Sequence, residues 1–170
     1  MKPFPKRLKL ADLPTRIEKL ERFSERTGLN VYVKRDDMSG MEWSGNKIRK
    51  LEFSIQEALD RGADTLITCG GIQSNHCRAT AAGLGLRSCL LLRTDDPDPL
   101  LDGNYFIDKV LGADIRFISA EDYRSRRGEV MEELAGEFER QGHKAYIIPE
   151  GASNGIGTFG YLSCMQEILQ

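Results

Sequence analysis

Three cations, Lys47, Arg49 and Lys50, crowd one short stretch, Ser44-Gly45-Asn46-Lys47-Ile48-Arg49-Lys50-Leu51-Glu52-Phe53. Gly45 and Asn46 are turn and cap residues, so the stretch reads as a turn feeding a helix with all three charges in its first turn. A helix N-terminus is already positive, and three cations there are unfavourable unless an anion binds or a lysine loses its charge. A lysine kept partly neutral by neighbouring charge is a nucleophilic amine able to form an imine, and a bound phosphate satisfies the other cations. Pyridoxal phosphate carries both partners, an aldehyde and a phosphate. By composition alone the same residues are solvated surface charges, as most lysines and arginines are. The chemical reading therefore leans on a companion stretch.

That companion is Cys69-Gly70-Gly71-Ile72-Gln73-Ser74-Asn75-His76-Cys77-Arg78. Two glycines permit a tight turn, and Ser74 or Asn75 can cap the helix that follows, leaving backbone N–H groups at a strand's carboxyl end. Such a corner suits a carboxylate or a ring oxygen, although an ordinary strand-to-helix turn with a serine cap has the same sequence. His76 has no second histidine or acid at a telling spacing, and its case rests on Ser74 and Asn75 beside it.

The elements that must hold these stretches follow from periodicity. Residues 1–14 read as an extended, proline-broken arm, residues 15–27 as a helix ending at Gly28, and residues 30–35 as a strand leading into the lysine turn. Ile48, Leu51, Ile55, Ala58 and Leu59 form one apolar helical face, with Lys47 and Lys50 on a neighbouring one. Then a unit repeats: Gly62, Gly112 and Gly142 each end a helix before a short apolar run, at 65–68, 115–118 and 145–148. With a further run at 88–93, these make four strands, alternating with helices near 75–82, 103–111 and 121–141. The pattern is an open parallel α/β sheet with flanking helices, in which ligands bind at the carboxyl ends of the strands. Arg124, Arg126 and Arg127, interleaved with acids, read as an exposed face of mixed charge. The prolines and acids at 95–99 read as a solvated loop rather than a metal site.

The 170 residues suffice for one ordinary domain, and 40% hydrophobic with 29% charged residues is a globular composition. A net charge of -2 gives no electrostatic case for nucleic acid or an anionic membrane. No run has the length of a transmembrane helix, and the basic start lacks the apolar stretch of a signal peptide. Four cysteines without a Cys-x-x-Cys pair and only two histidines argue against a disulfide framework or zinc site and fit a reducing, cytoplasmic compartment. Gly155-Ile156-Gly157-Thr158-Phe159-Gly160 matches a dinucleotide pattern, but the pattern alone is weak, and the acidic ribose partner expected further on falls outside the chain.

Taken together, Lys34-Arg35-Asp36-Asp37, the lysine stretch and the Gly70 to Arg78 stretch resemble the D-cysteine desulfhydrase and 1-aminocyclopropane-1-carboxylate deaminase family. The resemblance continues through Leu90-Leu91-Leu92-Arg93, Leu101-x-Gly103-Asn104 and Ile148-Pro149-x-Gly151-x-Ser153-Asn154. It implies a tryptophan-synthase-β-like, fold type II enzyme using pyridoxal phosphate on a small amino acid, and a homodimer at full length. It implies that Lys47 carries the cofactor covalently, that Lys50 helps hold its phosphate, that Asn75 contacts the ring hydroxyl, and that Ser74 lies beside ring and substrate carboxylate. Ser74, Asn75 and His76 are then the substrate-binding group, with Lys47 and Ser74 catalytic. His76 stands where desulfhydrase-like members have histidine and deaminases typically have glutamine, which favours β-elimination from D-cysteine. The alternatives are the deaminase and a non-catalytic α/β scaffold or binding module. Family members continue well past Gln170, so the resemblance covers their N-terminal half. It implies 1–52 as the start of the large domain, 53–148 as a small domain and 149–170 as the return. The segment 79–86 looks shorter than the family's by nearly a helical turn.

Overall fold

The structure is a computed structural model that describes residues 4–40 and 45–170. Ser44, at the head of the lysine turn, and residues 1–3 of the arm lie outside the described residues. The chain begins with β1 (Ile17–Lys19), α1 (Glu21–Thr27) and β2 (Tyr32–Lys34), and β1 pairs antiparallel with β2. The helix expected over 15–27 is therefore a strand followed by a shorter helix. Ile17 to Lys19 take their backbone partners from Lys34 to Tyr32, a tertiary pairing that local periodicity does not carry. Gly28, in the left-handed conformation, ends α1 as expected.

Next come α2 (Ile48–Asp60), β3 (Thr65–Gly71), α3 (Asn75–Ala81), β4 (Arg87–Arg93), α4 (Gly103–Val110), β5 (Asp114–Ile118), α5 (Ala120–Arg140), β6 (Ala145–Ile147) and α6 (Gly155–Ile168). The strands form the expected parallel sheet, in the order β5-β4-β3-β6. β3 is central and buried on both faces, which is why its sequence is an unbroken apolar run rather than an alternating one. On one face Leu66 packs with Ile48, Leu51 and Ile55 of α2 and Ala79 of α3; on the other Ile67 and Cys69 meet Tyr123, Met131, Leu134 and Phe138 of α5. Because β6 returns to the far side of β3, the strand order reverses there. The connections leaving these two strands converge at their carboxyl ends, where open α/β sheets form their ligand crevices.

The apolar face of α2 is as expected at Ile48, Leu51, Ile55 and Ala58, all fully buried, whereas Leu59 lies on the surface. The N-terminal arm is strapped to α2 by Glu52, whose carboxylate accepts from the Leu10 and Ala11 N–H groups at 2.9 and 3.0 Å. On its other side α2 meets α6 so closely that a Cβ on Gly160 would clash with the Arg49 carbonyl oxygen. A Cβ on Gly157 would meet the Ala152 carbonyl oxygen in the same way. Two glycines of the dinucleotide-like pattern are thus required by packing.

Asp108 on α4 is fully buried, and neither of its carboxyl oxygens has a hydrogen-bond partner among the described residues. Burial pushes its pKa up to about 7, against the opposing pull of the Arg78 charge. Between the ordinary carboxylate value and pH 7 the folded state binds the proton more tightly than the unfolded chain. Stability attributable to this group is therefore lost as pH rises through that window. Asp108→Asn is expected to stabilise the fold by an amount that grows from pH 4 to 7 and levels off above, at about 2–4 kcal/mol. Urea melts at pH 4.5, 6 and 8 measure it, and a gain independent of pH would sink the assignment. Gly160→Ala is expected to cost about 1–3 kcal/mol by forcing α2 and α6 apart. An unchanged midpoint would mean that the two helices do not touch there.

Candidate active site

Lys47 sits at the entry to α2, immediately after the turn at Gly45, whose positive φ of 96° suits glycine. Its Nζ has no hydrogen-bond or ion-pair partner among the described residues. It lies 3.3 Å from where a Cβ on Gly151 would stand, and Gly151 is itself in the left-handed region with φ 64°. Any other residue at 151 would be strained and would press on the lysine amine.

The three cations of the first turn divide. Arg49 turns inward and is almost wholly buried: its guanidinium donates to Asp36 at 2.8 and 2.9 Å, to Glu167 at 2.8 and 3.0 Å, and to Thr15 Oγ1 at 3.1 Å. The expectation that a bound phosphate satisfies it is corrected, because two carboxylates of the chain do so. Lys50 stays at the site and donates to Ser153 Oγ at 2.9 Å. Its pKa is lowered, first by desolvation and then by the Lys47 charge.

The second stretch is set by the turn after β3. A Cβ on Gly70 would stand 2.7 Å from both the Ser74 side chain and Cys77 Sγ, so only glycine lets the turn fold back this tightly. Ser74 caps α3 as expected, its Oγ accepting from the Cys77 N–H at 3.2 Å, and its hydroxyl is also hydrogen-bonded to the Cys77 thiol. Asn75 Oδ1 accepts from Asn104 Nδ2 at 2.9 Å. Asn104 also donates to the Gln73 carbonyl at 2.8 Å, and Gln73 donates to Asp102 Oδ1 at 2.8 Å, so the head of α4 holds the loop. Asn75 Nδ2 keeps its donors for something else.

His76 is buried, and its protonation follows from its neighbours. Thr68 Oγ1 donates its hydrogen to the Ile148 carbonyl at 2.7 Å, so at 2.8 Å from His76 Nε2 it can only accept. The ring is thus the Nε2–H tautomer, with Nδ1 unprotonated and unpartnered. Desolvation, then the Lys47 and Lys50 charges, lower its pKa to about 3. Its side chain is a neutral prop linking α3 to β3 and the end of β6, not a cation for a carboxylate.

A cavity of about 820 Å³ brings Lys47, Ser74, Asn75 and His76 together with the 149–153 segment. Lys50 reaches the same segment through Ser153. The fourth wall is unexpected: Arg124, Ser125, Arg127 and Met131 of α5 line it. The exposed, mixed-charge face is as expected at Arg126, which pairs with Glu129 and Glu133. Arg124 is exposed as well, while the partly exposed Arg127 pairs with Glu150; Arg124 and Arg127 border the cavity in addition. The i, i+3 spacing of Arg124 and Arg127 was the available signal, and it was masked by the surrounding acids. Asp95 accepts from the Ala120 N–H at 2.8 Å, tying the acidic loop to the start of α5. No group of potential metal ligands occurs among the described residues, and none of their helices is long and apolar enough to cross a membrane.

The site has what a phosphate-bearing aldehyde needs: an unpartnered amine, an adjacent cation, and the uncommitted Nδ2 donors of Asn75. The comparisons with known proteins agree with that chemistry. Residues 8–170 match the family described as pyridoxal-phosphate dependent enzyme. The bifunctional D-cysteine desulfhydrase/1-aminocyclopropane-1-carboxylate deaminase of Arabidopsis thaliana is 46% identical over 99% of this chain and 44% of its own length. The D-cysteine desulfhydrase of Serratia proteamaculans is 41% identical over 98% of this chain and 52% of its own. The crystal structure of an ACC deaminase homologue superposes with a TM-score of 0.88 at 40% identity, covering 98% of this chain and 51% of that one. Threonine deaminase isoform 2 from Solanum lycopersicum, at 20% identity and a TM-score of 0.63, covering 94% of this chain and 40% of that one, shares the fold. The chain spans about half the length of the curated relatives it matches. It belongs to the fold type II pyridoxal-phosphate-dependent enzymes, within the group whose curated members are named D-cysteine desulfhydrase and ACC deaminase.

Proposed function

We propose that this chain carries the lysine half of a D-cysteine desulfhydrase, which converts D-cysteine and water to pyruvate, sulfide and ammonia by β-elimination. The observation that carries the proposal is the unpartnered Lys47 amine in one cavity with Ser74 and Asn75. When bound, pyridoxal phosphate supplies an aldehyde that takes an amine covalently and a pyridine ring that draws electrons from the α-carbon. Lys47 would hold it covalently, and its amine, once free, would be the group placed to move the α-proton. Lys50 would help hold the phosphate, and an anion there would favour the charged form that desolvation and Lys47 disfavour.

Asn75 would offer its free Nδ2 to the ring hydroxyl, and the Ser74 hydroxyl would lie beside the substrate carboxylate. His76 keeps the α3 turn in register from behind, uncharged throughout the physiological range. Gly151 leaves room for Lys47 to swing. A deaminase acting on 1-aminocyclopropane-1-carboxylate is the second reading, favoured by the bifunctional Arabidopsis relative.

Visible absorption of the purified chain with pyridoxal phosphate tests the proposal, with D-cysteine and then 1-aminocyclopropane-1-carboxylate added. The expected result is a band that requires Lys47, shifts with D-cysteine and is followed by sulfide release, slowed about a thousandfold or more in Lys47→Ala. Turnover of only the cyclopropane would exchange the first reading for the second. A chain with no Lys47-dependent band would instead be a non-catalytic scaffold.

A further inference from the structure

The cavity has a cationic wall built independently of the lysine turn. Arg127 of α5 is held on Tyr123, its guanidinium 5.2 Å from the ring centroid and its Nη1 donating to the Tyr123 carbonyl at 3.2 Å. The ring is anchored in turn, its hydroxyl donating to Cys69 Sγ at 3.6 Å. Arg93, at the carboxyl end of β4, lies 5.1 Å from the same centroid, so two guanidinium groups sit over one tyrosine. Arg124, one turn before Arg127, uses its Nε on the Ala120 carbonyl at 3.1 Å and has no carboxylate partner among the described residues.

Compensation for this charge is partial: Glu129 and Glu133 pair with Arg126, and Glu150, which lines the same cavity, forms a long ion pair with Arg127 Nε at 3.9 Å without a hydrogen bond. Lys47, Arg124 and Arg127 line the cavity against the single carboxylate of Glu150, and His76 is neutral there, so the lining is net positive on a chain whose net charge is -2. A guanidinium has five N–H donors in a planar fork, and Arg127 gives only one to a carbonyl. Stacked on an aromatic ring, the remaining edge is preorganised for two oxygens of one anion.

We propose that Arg127 and Arg124 form an oxyanion-binding wall, which takes a carboxylate, sulfate or phosphate carried on the side chain of an amino-acid substrate. Only the amino-acid part rests on the function proposed above; the anion site stands on the α5 geometry. It extends the substrate class from D-cysteine to amino acids whose β-substituent is an oxyanion.

Inorganic sulfate titrated into the chain without pyridoxal phosphate tests the wall. Calorimetry gives the affinity, and the arginine Nε–H signals of the ¹⁵N-labelled protein give the location. Saturable binding that moves the Arg124 and Arg127 signals, weakens about tenfold or more in Arg127→Met and persists in Lys47→Ala is the expected result. Arg127→Met keeps an apolar stem on Tyr123, and Arg127→Lys, retaining charge without the fork, should fall between. Equal affinity in Arg127→Met overturns the proposal, as does loss in Lys47→Ala, which would assign the anion to the lysine turn. Drift without saturation would indicate an adventitious ion only and also overturns it. O-phospho-D-serine should then compete with sulfate and D-serine should not. Equal competition by both would place the recognised group on the α-carboxylate and remove the side-chain class. Because no cofactor is present, these outcomes are independent of whether Lys47 gives its absorption band.

Discussion

The candidate site depends on the buried clamp around Arg49. One guanidinium joins the strand-to-helix loop through Asp36, the arm through Thr15 and the final helix through Glu167, while Lys34 also pairs with Glu167 at 2.7 Å. Removing one partner of a buried network strands the others, at a cost of about 3–5 kcal/mol. The clamp therefore fixes the first turn of α2 relative to three other parts of the chain. It also sorts the charges. With Arg49 drawn inward, its neighbours Lys47 and Lys50 remain toward the cavity, and their mutual repulsion bears on a small volume.

The sheet supplies the opposite constraint. β3 ends in two glycines, and the turn beyond them closes so tightly that the Ser74 side chain and Cys77 Sγ fill the space beside Gly70. Backbone geometry, more than side-chain choice, delivers Ser74 and Asn75 to the cavity. The Thr68–His76 contact then ties the first turn of α3 to the strand it came from and, through Ile148, to the return strand.

Much of this was legible in the sequence, for identifiable reasons. Parallel strands buried on both faces leave continuous apolar runs, and glycines mark the helix ends before three of them, so all four main strands were readable. Lys47, Ser74 and Asn75 could be placed because turn residues announce them. What was hidden was long-range. The pairing that makes 17–19 a strand is tertiary, and the acid that buries Arg49, Glu167, lies 118 residues away, so neither shows in local sequence. Arg127 looked like surface because the turn that faces the cavity is set by the packing of Tyr123, Met131, Leu134 and Phe138, not by the charges around it. His76 lines the cavity, and its neutral tautomer, set by a threonine eight residues earlier, is a feature the sequence does not announce.

Asn104 gives the Asn75 amide a fixed rotamer before anything binds, since its Nδ2 already holds Oδ1 at 2.9 Å and its own position is locked by Gln73. A free asparagine side chain must surrender its rotational freedom on gripping a ligand, at about 0.5–1.5 kcal/mol. Here that entropy is lost when α4 docks, during folding. Affinity at Asn75 is in this sense stored in the α3–α4 contact, and whatever loosens that contact weakens the grip without touching the ligand.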